Sequence, residues 1–297
     1  MIDVMRKKTI TLIIVLLILV GAATILWYGV PDLDLDGTWL GSSADDNGVN
    51  ATSEKPGGTE QEDMTYDTDS ENNIWYYIAA RADRYEAFAA LRPDLTFEDV
   101  VWRVNVDLDK EPYEDVRAAK DPMSILALVN KRFYLPEDFT PPDLVNIGKS
   151  MMRADAADAM NEMIRVADGE GHHLWVQSGF RSFNIQAQLY EQYSASDGYE
   201  EADRYSARPG HSEHQTGLVA DLNTITAAFG ETPEGKWAAS NSWYFGYIVR
   251  YTADNTDVTL YKPEPWHLRY IGREAAAGMH DLGILSFEEY WVKYVNH

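Results

Sequence analysis

The chain has 297 residues, 45% of them hydrophobic and 12% aromatic, and a formal net charge of −23. That is a globular composition, long enough to bury one or two cores, and so acidic a chain does not bind nucleic acid through a general basic patch. Cysteine is absent, which excludes disulfides, a cysteine nucleophile and thiolate metal sites, so any metal must be held by histidine and carboxylate.

Residues 9–27 carry no charge, and a helix of that length spans roughly 28 Å, about one hydrocarbon core. Arg6, Lys7 and Lys8 precede the run, and the chain after it is acidic. The charge bias predicts a cytoplasmic N-terminus over 1–8, a membrane anchor over 9–28 and everything beyond it outside the cytoplasm. A cleaved signal peptide is the alternative, for which the apolar run is long. Residues 29–72 are expected to form an acidic disordered tether, because Asp, Glu, Gly, Ser and Thr dominate and few apolar side chains are available to offset ordering entropy.

Ordered structure is predicted from Asn73, with a helical extension over 73–120 and the main domain over 121–297. Residues 74–91 read as a helix. Thr96 and Asp99 form a capping-box pattern that opens a second helix through Val104. Pro112, Pro122, Pro136, Pro141 and Pro142 punctuate a loop-rich stretch. Met152, Ala156, Ala159, Met163 and Ala167 recur at helical spacing, predicting a helix over 151–168 with Ser150 as its N-cap. A strand over His172–Gln177 leads into a turn at Ser178-Gly179, and a helix covers 183–195. Gly217–Leu222, Tyr247–Tyr251 and the stretch around His267–Ile271 read as strands, and 273–280 and 286–294 as closing helices. Helices and short strands without regular alternation predict an α+β fold.

Three pieces of sequence carry chemistry. His214 precedes Asp221 by seven residues, with Gly217 permitting a sharp bend between them and Val219 and Asp221 sharing one strand face; alone, this spacing is a weak metal signal. In Glu264-Pro265-Trp266-His267, the proline holds Glu264 in extended geometry, so this is not a helical metal motif. Two histidines and an aspartate would leave zinc an open position for water, and Glu264, three residues from His267, is the natural carboxylate to take that water's proton. In Ser178-Gly179-Phe180-Arg181-Ser182, Arg181 follows a strand and turn, where a guanidinium suits a carboxylate or an oxyanion; taken alone it reads as a surface ion pair. His211 points away from His214 along an extended chain and is expected at a rim rather than on a metal. His172 and His173 read as surface, and His280 as a helix-end residue. Trp243, Trp266, Tyr190 and Tyr251 read as core.

In order along the chain, Ser-Gly-Phe-Arg-Ser with Gln186, then Ser212-Glu213-His214-Gln215-Thr216-Gly217-Leu218-Val219-Ala220-Asp221, then Glu264-Pro265-Trp266-His267-Leu268-Arg269-Tyr270, resemble the VanY-type D-alanyl-D-alanine carboxypeptidases. That family belongs to the zinc fold group shared with lysostaphin-type peptidases and the hedgehog signalling domain. Val129-Asn130-Lys131 followed by Leu135-Pro136-Glu137-Asp138 is similar to its opening segment, and the resemblance covers roughly 74–290. It implies a small antiparallel sheet carrying the zinc site, flanked by helices. It implies His214, Asp221 and His267 as ligands of Zn2+, Glu264 as general base, Arg181 as stabiliser of the scissile carbonyl, and Ser212 as a substrate contact; Gln186 is a second candidate contact. Many members carry alanine where Val219 stands, with the larger apolar residue next; here the order is reversed, which adds two methyl groups on the side facing His214 and Asp221 and is expected to reshape the pocket without touching a ligand. The implied substrate is a peptidoglycan stem peptide ending in D-Ala-D-Ala. An endopeptidase or L,D-carboxypeptidase of the same fold, and a non-catalytic wall-binding protein, are the alternatives.

Overall fold

Thr96 opens its helix as the sequence predicts. Its hydroxyl accepts from the Asp99 N–H at 3.1 Å, and the Asp99 carboxylate accepts from the Thr96 N–H at 3.3 Å. This helix, α2 (Phe97–Asn105), follows α1 (Ala82–Leu91), which is entered through a single 3₁₀ turn at Ala79–Arg81. The computed structural model describes residues 74–296; the expected anchor at 9–28, the tether at 29–72 and His297 lie outside the described residues. Among those described, no helix is long and apolar enough to cross a membrane.

The first predicted helix starts late because the Ile78 N–H donates to the Tyr85 hydroxyl at 3.2 Å with Ile78 extended, leaving 74–78 outside the helix. A larger correction falls at Ser150. It is not an N-cap: Leu144–Ile147 (β3) and Ser150–Arg153 (β4) form an antiparallel hairpin. Gly148, at φ 59°, helps form its two-residue turn. The helix α3 therefore begins at Ala154 and runs to Gly169, with no side-chain cap at Arg153. Met152 belongs to the strand, and its spacing from Ala156 mimics a helical repeat because both are buried in one core. The strand expected over His172–Gln177 is confined to Val176–Ser178 (β5).

The remaining elements are β1 (Arg117–Ala118) pairing in parallel with β2 (Phe133–Tyr134), α4 (Phe183–Asp197), α5 (Tyr199–Ala202), β6 (Val219–Leu222), α6 (Pro233–Asn241), β7 (Tyr247–Tyr251), α7 (Thr256–Thr259), β8 (Glu264–Tyr270), α8 (Arg273–Leu282) and α9 (Phe287–Tyr294). β5, β6, β8 and β7 form a four-stranded antiparallel sheet in that order. The class is α+β, as predicted.

Side-chain alternation divides the sheet's residues between two faces. Ala220, Leu222 and Leu268 join Met160 and Met163 of α3 in one core, while Asp221, His267 and Arg269 fall on the opposite side of the pleat. A second core unites Tyr85, Val100, Trp102 and Val104 of the extension with Ala276, Phe287 and Trp291 of the closing helices. Register fixes the site: Asp221 on central strand β6 lies opposite His267 of β8 on one side and Ser178 of β5 on the other.

Candidate active site

His214 sits in a 3₁₀ turn, Glu213–Thr216, that ends on Gly217 at φ 71°. A Cβ at Gly217 would also approach Leu144 Cδ2 to 2.9 Å and Arg153 Cγ to 3.0 Å, so both conformation and space demand glycine. The turn aims His214 back over β6, as the bend at Gly217 suggested. The His214 Nδ1 lies 2.7 Å from the Gly179 carbonyl, which fixes the ring and leaves Nε2 facing Asp221 Oδ2 at 3.3 Å. Gly179 is constrained in turn, since a Cβ there would lie 2.4 Å from the Met151 carbonyl oxygen.

His267 presents its Nδ1 to the same carboxylate, 3.4 Å from Asp221 Oδ1. Glu264 Oε2 stands 3.5 Å from that nitrogen. One ligand atom from each of His214, Asp221 and His267 falls within a cluster 4.8 Å across, and all three residues are buried. Asp221 Oδ1 is buried without a hydrogen bond of normal geometry among the described residues. Two imidazole nitrogens and a carboxylate oxygen converging on one point, with one buried oxygen unsatisfied, fit a divalent cation of the zinc type.

The electrostatics agree. Burial depresses the His214 pKa, reinforced by the Arg181 charge against the opposing pull of Asp221, which favours the neutral imidazole that a metal requires. Burial pushes the Asp221 carboxyl up, but the two facing imidazoles, His214 first and then His267, outweigh it and hold it well below the usual carboxylate range. Burial lowers His267, yet the facing carboxylates of Asp221 and Glu213 outweigh it and raise it to about 9. The same carboxylates that favour a proton on His267 favour a metal cation in its place. Glu264 is raised by burial to about 7, with His267 and Arg181 opposing and Asp221 and Glu213 adding to the rise. A carboxylate whose proton affinity lies near neutrality is suited to general-base work.

These residues line one cavity of about 630 Å³ together with Arg181, Gln186 and Ser212, so all seven residues singled out in the sequence come together. Arg181 is not a surface ion pair: its Nη1 donates to Gln186 Oε1 at 2.9 Å and its Nη2 to Ser178 Oγ at 3.2 Å, with Asp221 Oδ2 at 3.9 Å. Gln186 also donates to the Ala207 carbonyl at 2.7 Å; both ends of its amide are engaged, so it braces Arg181 against the cavity wall. Ser212 is buried on the wall and makes no cap bond to the turn that follows.

Other expectations need correction. His211 is not on the cavity lining; its Nδ1 lies 2.7 Å from the Asn130 carbonyl and its ring packs edge-on against Tyr113. Tyr251 is buried and Trp266 packs against the sheet core, as expected, and both also line the cavity, the Tyr251 ring centred 4.8 Å from that of His267. Val219 is fully buried and off the lining, so the reversed order at 219–220 leaves the cavity wall unchanged. Sequence reasoning passed over Glu213 entirely. It is buried beneath His267, its Oε1 accepting from Arg250 Nε and Arg269 Nη1, both at 2.9 Å. Arg250 donates onward to both oxygens of Glu288. A signal existed: Arg269 is two residues from His267 on the same face of a strand, and a charge there requires a buried counter-charge.

Comparison with known proteins agrees with this geometry. The sequence pattern of the VanY family, described as D-alanyl-D-alanine carboxypeptidase, matches residues 149–273. YodJ of Bacillus subtilis (strain 168) is 38% identical over 201 residues, covering 62% of this chain and 73% of its own. The solved LdcB LD-carboxypeptidase is 37% identical with a TM-score of 0.57, covering 62% of this chain and 92% of its own. The VanY D,D-pentapeptidase of a VanB-type vancomycin-resistance cassette, solved with Zn(II), is 30% identical with a TM-score of 0.50, covering 56% and 97%. With its fold, its three motifs and these relatives in agreement, the chain belongs to the VanY-type family of carboxypeptidases.

Proposed function

We propose that the protein is a zinc-dependent D,D-carboxypeptidase that removes the terminal D-alanine from peptidoglycan stem peptides ending in D-Ala-D-Ala. The observation that carries this reading is the convergence of His214, Asp221 and His267 within 4.8 Å beside a carboxylate, Glu264, raised to about 7. When bound, zinc supplies Lewis-acid polarisation of the scissile carbonyl and acidifies water. Glu264 accepts the proton of the attacking water as the new C–O bond forms. It returns that proton to the leaving nitrogen as the C–N bond breaks, freeing D-alanine. Arg181, held by Gln186 and Ser178, faces the oxygen on which negative charge develops. Ser212 contributes a hydroxyl to the substrate wall. A cavity of about 630 Å³ falls in the ~300–1,000 Å³ range that takes ligands larger than two alanines, which supports recognition of more of the stem than its terminal dipeptide.

The second reading, an L,D-carboxypeptidase, is favoured by the likeness to LdcB at 37% identity. The two differ in the residue on the acyl side of the scissile bond, D-alanine in one and an L-configured residue in the other. Mass spectrometry of purified protein with zinc separates them. Loss of one alanine from a pentapeptide ending in D-Ala-D-Ala, with a tetrapeptide ending in a single D-Ala left intact, supports the first. Cleavage of the tetrapeptide alone replaces it with the second, and cleavage of neither favours a non-catalytic wall-binding protein.

The proposed location is the outer face of a bacterial membrane, single-pass through 9–28, with 29–72 as the tether that reaches the wall. Protease added to intact protoplasts should digest the domain while a tag before Met1 survives; a protected domain would contradict the positive-inside reading.

A further inference from the structure

Glu213 is 1% exposed, and its two carboxylate oxygens have different surroundings. Oε1 accepts from two guanidinium groups, those of Arg250 and Arg269. Those arginines are themselves anchored, Arg250 on Glu288 and Arg269 on the carbonyls of Ile125 and Ala127 at 3.0 and 2.8 Å. Oε2 makes no hydrogen bond of normal geometry among the described residues, and neither does the Nε2 of His267. These two buried atoms face each other at 3.5 Å. Oε2 can only accept, so it favours a hydrogen on Nε2. A neutral imidazole with its hydrogen on Nε2 has its lone pair on Nδ1, the nitrogen that faces Asp221 and Glu264.

We propose that Glu213 is a positioning residue that fixes His267 as the Nε2–H tautomer and so presents the Nδ1 lone pair to the metal. The inference rests on the metal reading above. It explains why a carboxylate occupies a site where a neutral side chain would be easier to bury. It also explains why two arginines lock that carboxylate from behind: with Oε1 claimed by two donors, the group cannot rotate away from the histidine.

Glu213→Gln tests this with almost no change in shape. The two guanidiniums require the amide oxygen on their side, so the amide nitrogen must face His267 Nε2 and donate to it. The histidine is then driven to carry its hydrogen on Nδ1, where it blocks the metal. Zinc affinity, read by chelator competition on the purified chain, should fall ~10–100-fold, the usual range for the partner of a metal-bound histidine. Asp107→Asn is the control. It also removes a buried carboxylate, but Asp107 pairs with Arg84 and Arg117 in the extension and its neighbouring strand, with no histidine and none of the residues that hold Glu213, so zinc affinity should stay within about twofold of wild type, well short of that range. Equal losses in the two variants, or none in Glu213→Gln, would overturn the proposal. If Glu213→Gln does not fold, ¹⁵N NMR of the zinc-loaded wild type decides instead: the His267 hydrogen should be on Nε2, and a hydrogen on Nδ1 would refute the assignment. A wild type that does not bind zinc, or a His267→Ala variant that binds it as tightly, sinks the metal reading itself.

Discussion

The two sides of His267 are built from the same kinds of residue and come to opposite ends. Behind the ring, Glu213, Arg250, Arg269 and Glu288 are all 1% exposed or less, and their charges are answered by one another. In front of it, Asp221 and Glu264 crowd two histidines at 3.3–3.5 Å, leaving one Asp221 oxygen without a hydrogen bond. Burying charge is costly unless it is paired. Where the protein does the pairing the result is a fixed support; where it does not, the deficit is an affinity for something else. The difference between support and site is therefore whether arginines hydrogen-bond the carboxylates directly, as they do behind the ring, or stand off from them, as Arg181 does at 3.9 Å from Asp221.

The front should be fragile in function and robust in structure. Glu264→Gln keeps shape but cannot accept a proton. It should retain zinc and melt near wild type while kcat falls ~10²–10⁴-fold. Loss of zinc binding would instead make Glu264 a ligand, and wild-type turnover would place the base elsewhere. The back should behave in reverse. Arg250→Met leaves Glu213 and Glu288 facing each other without their shared cation, and breaking a buried pair on one side costs ~3–5 kcal/mol, measured by denaturant unfolding.

Acid should weaken the back. Burial pushes the Glu213 carboxyl up, but Arg250 and Arg269 outweigh it and hold it well below its ordinary value of 4.5. Its folded pKa lies below its unfolded one, so its contribution to stability is fully present above ~4.5 and is lost as pH falls through the folded value. A zinc-free melting profile flat from pH 7 to 3 would remove this support role. Arg181 belongs to the front: it lines the cavity, donates to Gln186 and Ser178, and stands 3.9 Å from Asp221. Arg181→Ala should keep zinc and lose ~10²–10³-fold, mainly in kcat/KM; an unchanged kcat/KM would reduce it to a structural brace.

The legible parts of this molecule were those where local chemistry decides. The Thr96–Asp99 capping box, the bend at Gly217 and the extended Glu264-Pro265 unit depend on a few neighbouring residues, and each was read correctly. The helix start at Ser150 was misread because Met152 and Ala156 are buried in one core through different elements, and spacing cannot distinguish a strand that meets a helix from a longer helix. The seven site residues were recognisable because their motifs carry them in order, yet nothing local marks Glu213. Its partners Arg250, Arg269 and Glu288 are 37, 56 and 75 residues away in sequence, and only the β7–β8 pairing and the packing of α9 bring them beneath His267. A charged residue without local partners reads as solvent-facing, so the buried support was invisible where the site was not.

The extension supplies the smallest test and the one that isolates the comparison. Thr96 caps α2 through two reciprocal bonds at 3.1 and 3.3 Å, and the apolar residues of α2 are buried with the closing helices rather than with the sheet face that carries the site. Thr96→Ala leaves the Asp99 backbone N–H without its acceptor and removes the hydroxyl that donates to the Asp99 carboxylate, while the backbone N–H at position 96 still donates to that carboxylate. Its cost should be about 0.5–2 kcal/mol, a drop of ~2–4 °C in Tm per kcal/mol for a domain of this size. Neither half of the charge contrast is touched, so zinc affinity and kcat should equal wild type at temperatures well below the melt. A fall in zinc affinity at 25 °C, with the protein fully folded by circular dichroism, would show that the extension's core sets the position of His267. The support behind the metal would then reach through α9, where Glu288 sits, into α2, and the boundary between structural and functional charge would have to be drawn further from the site.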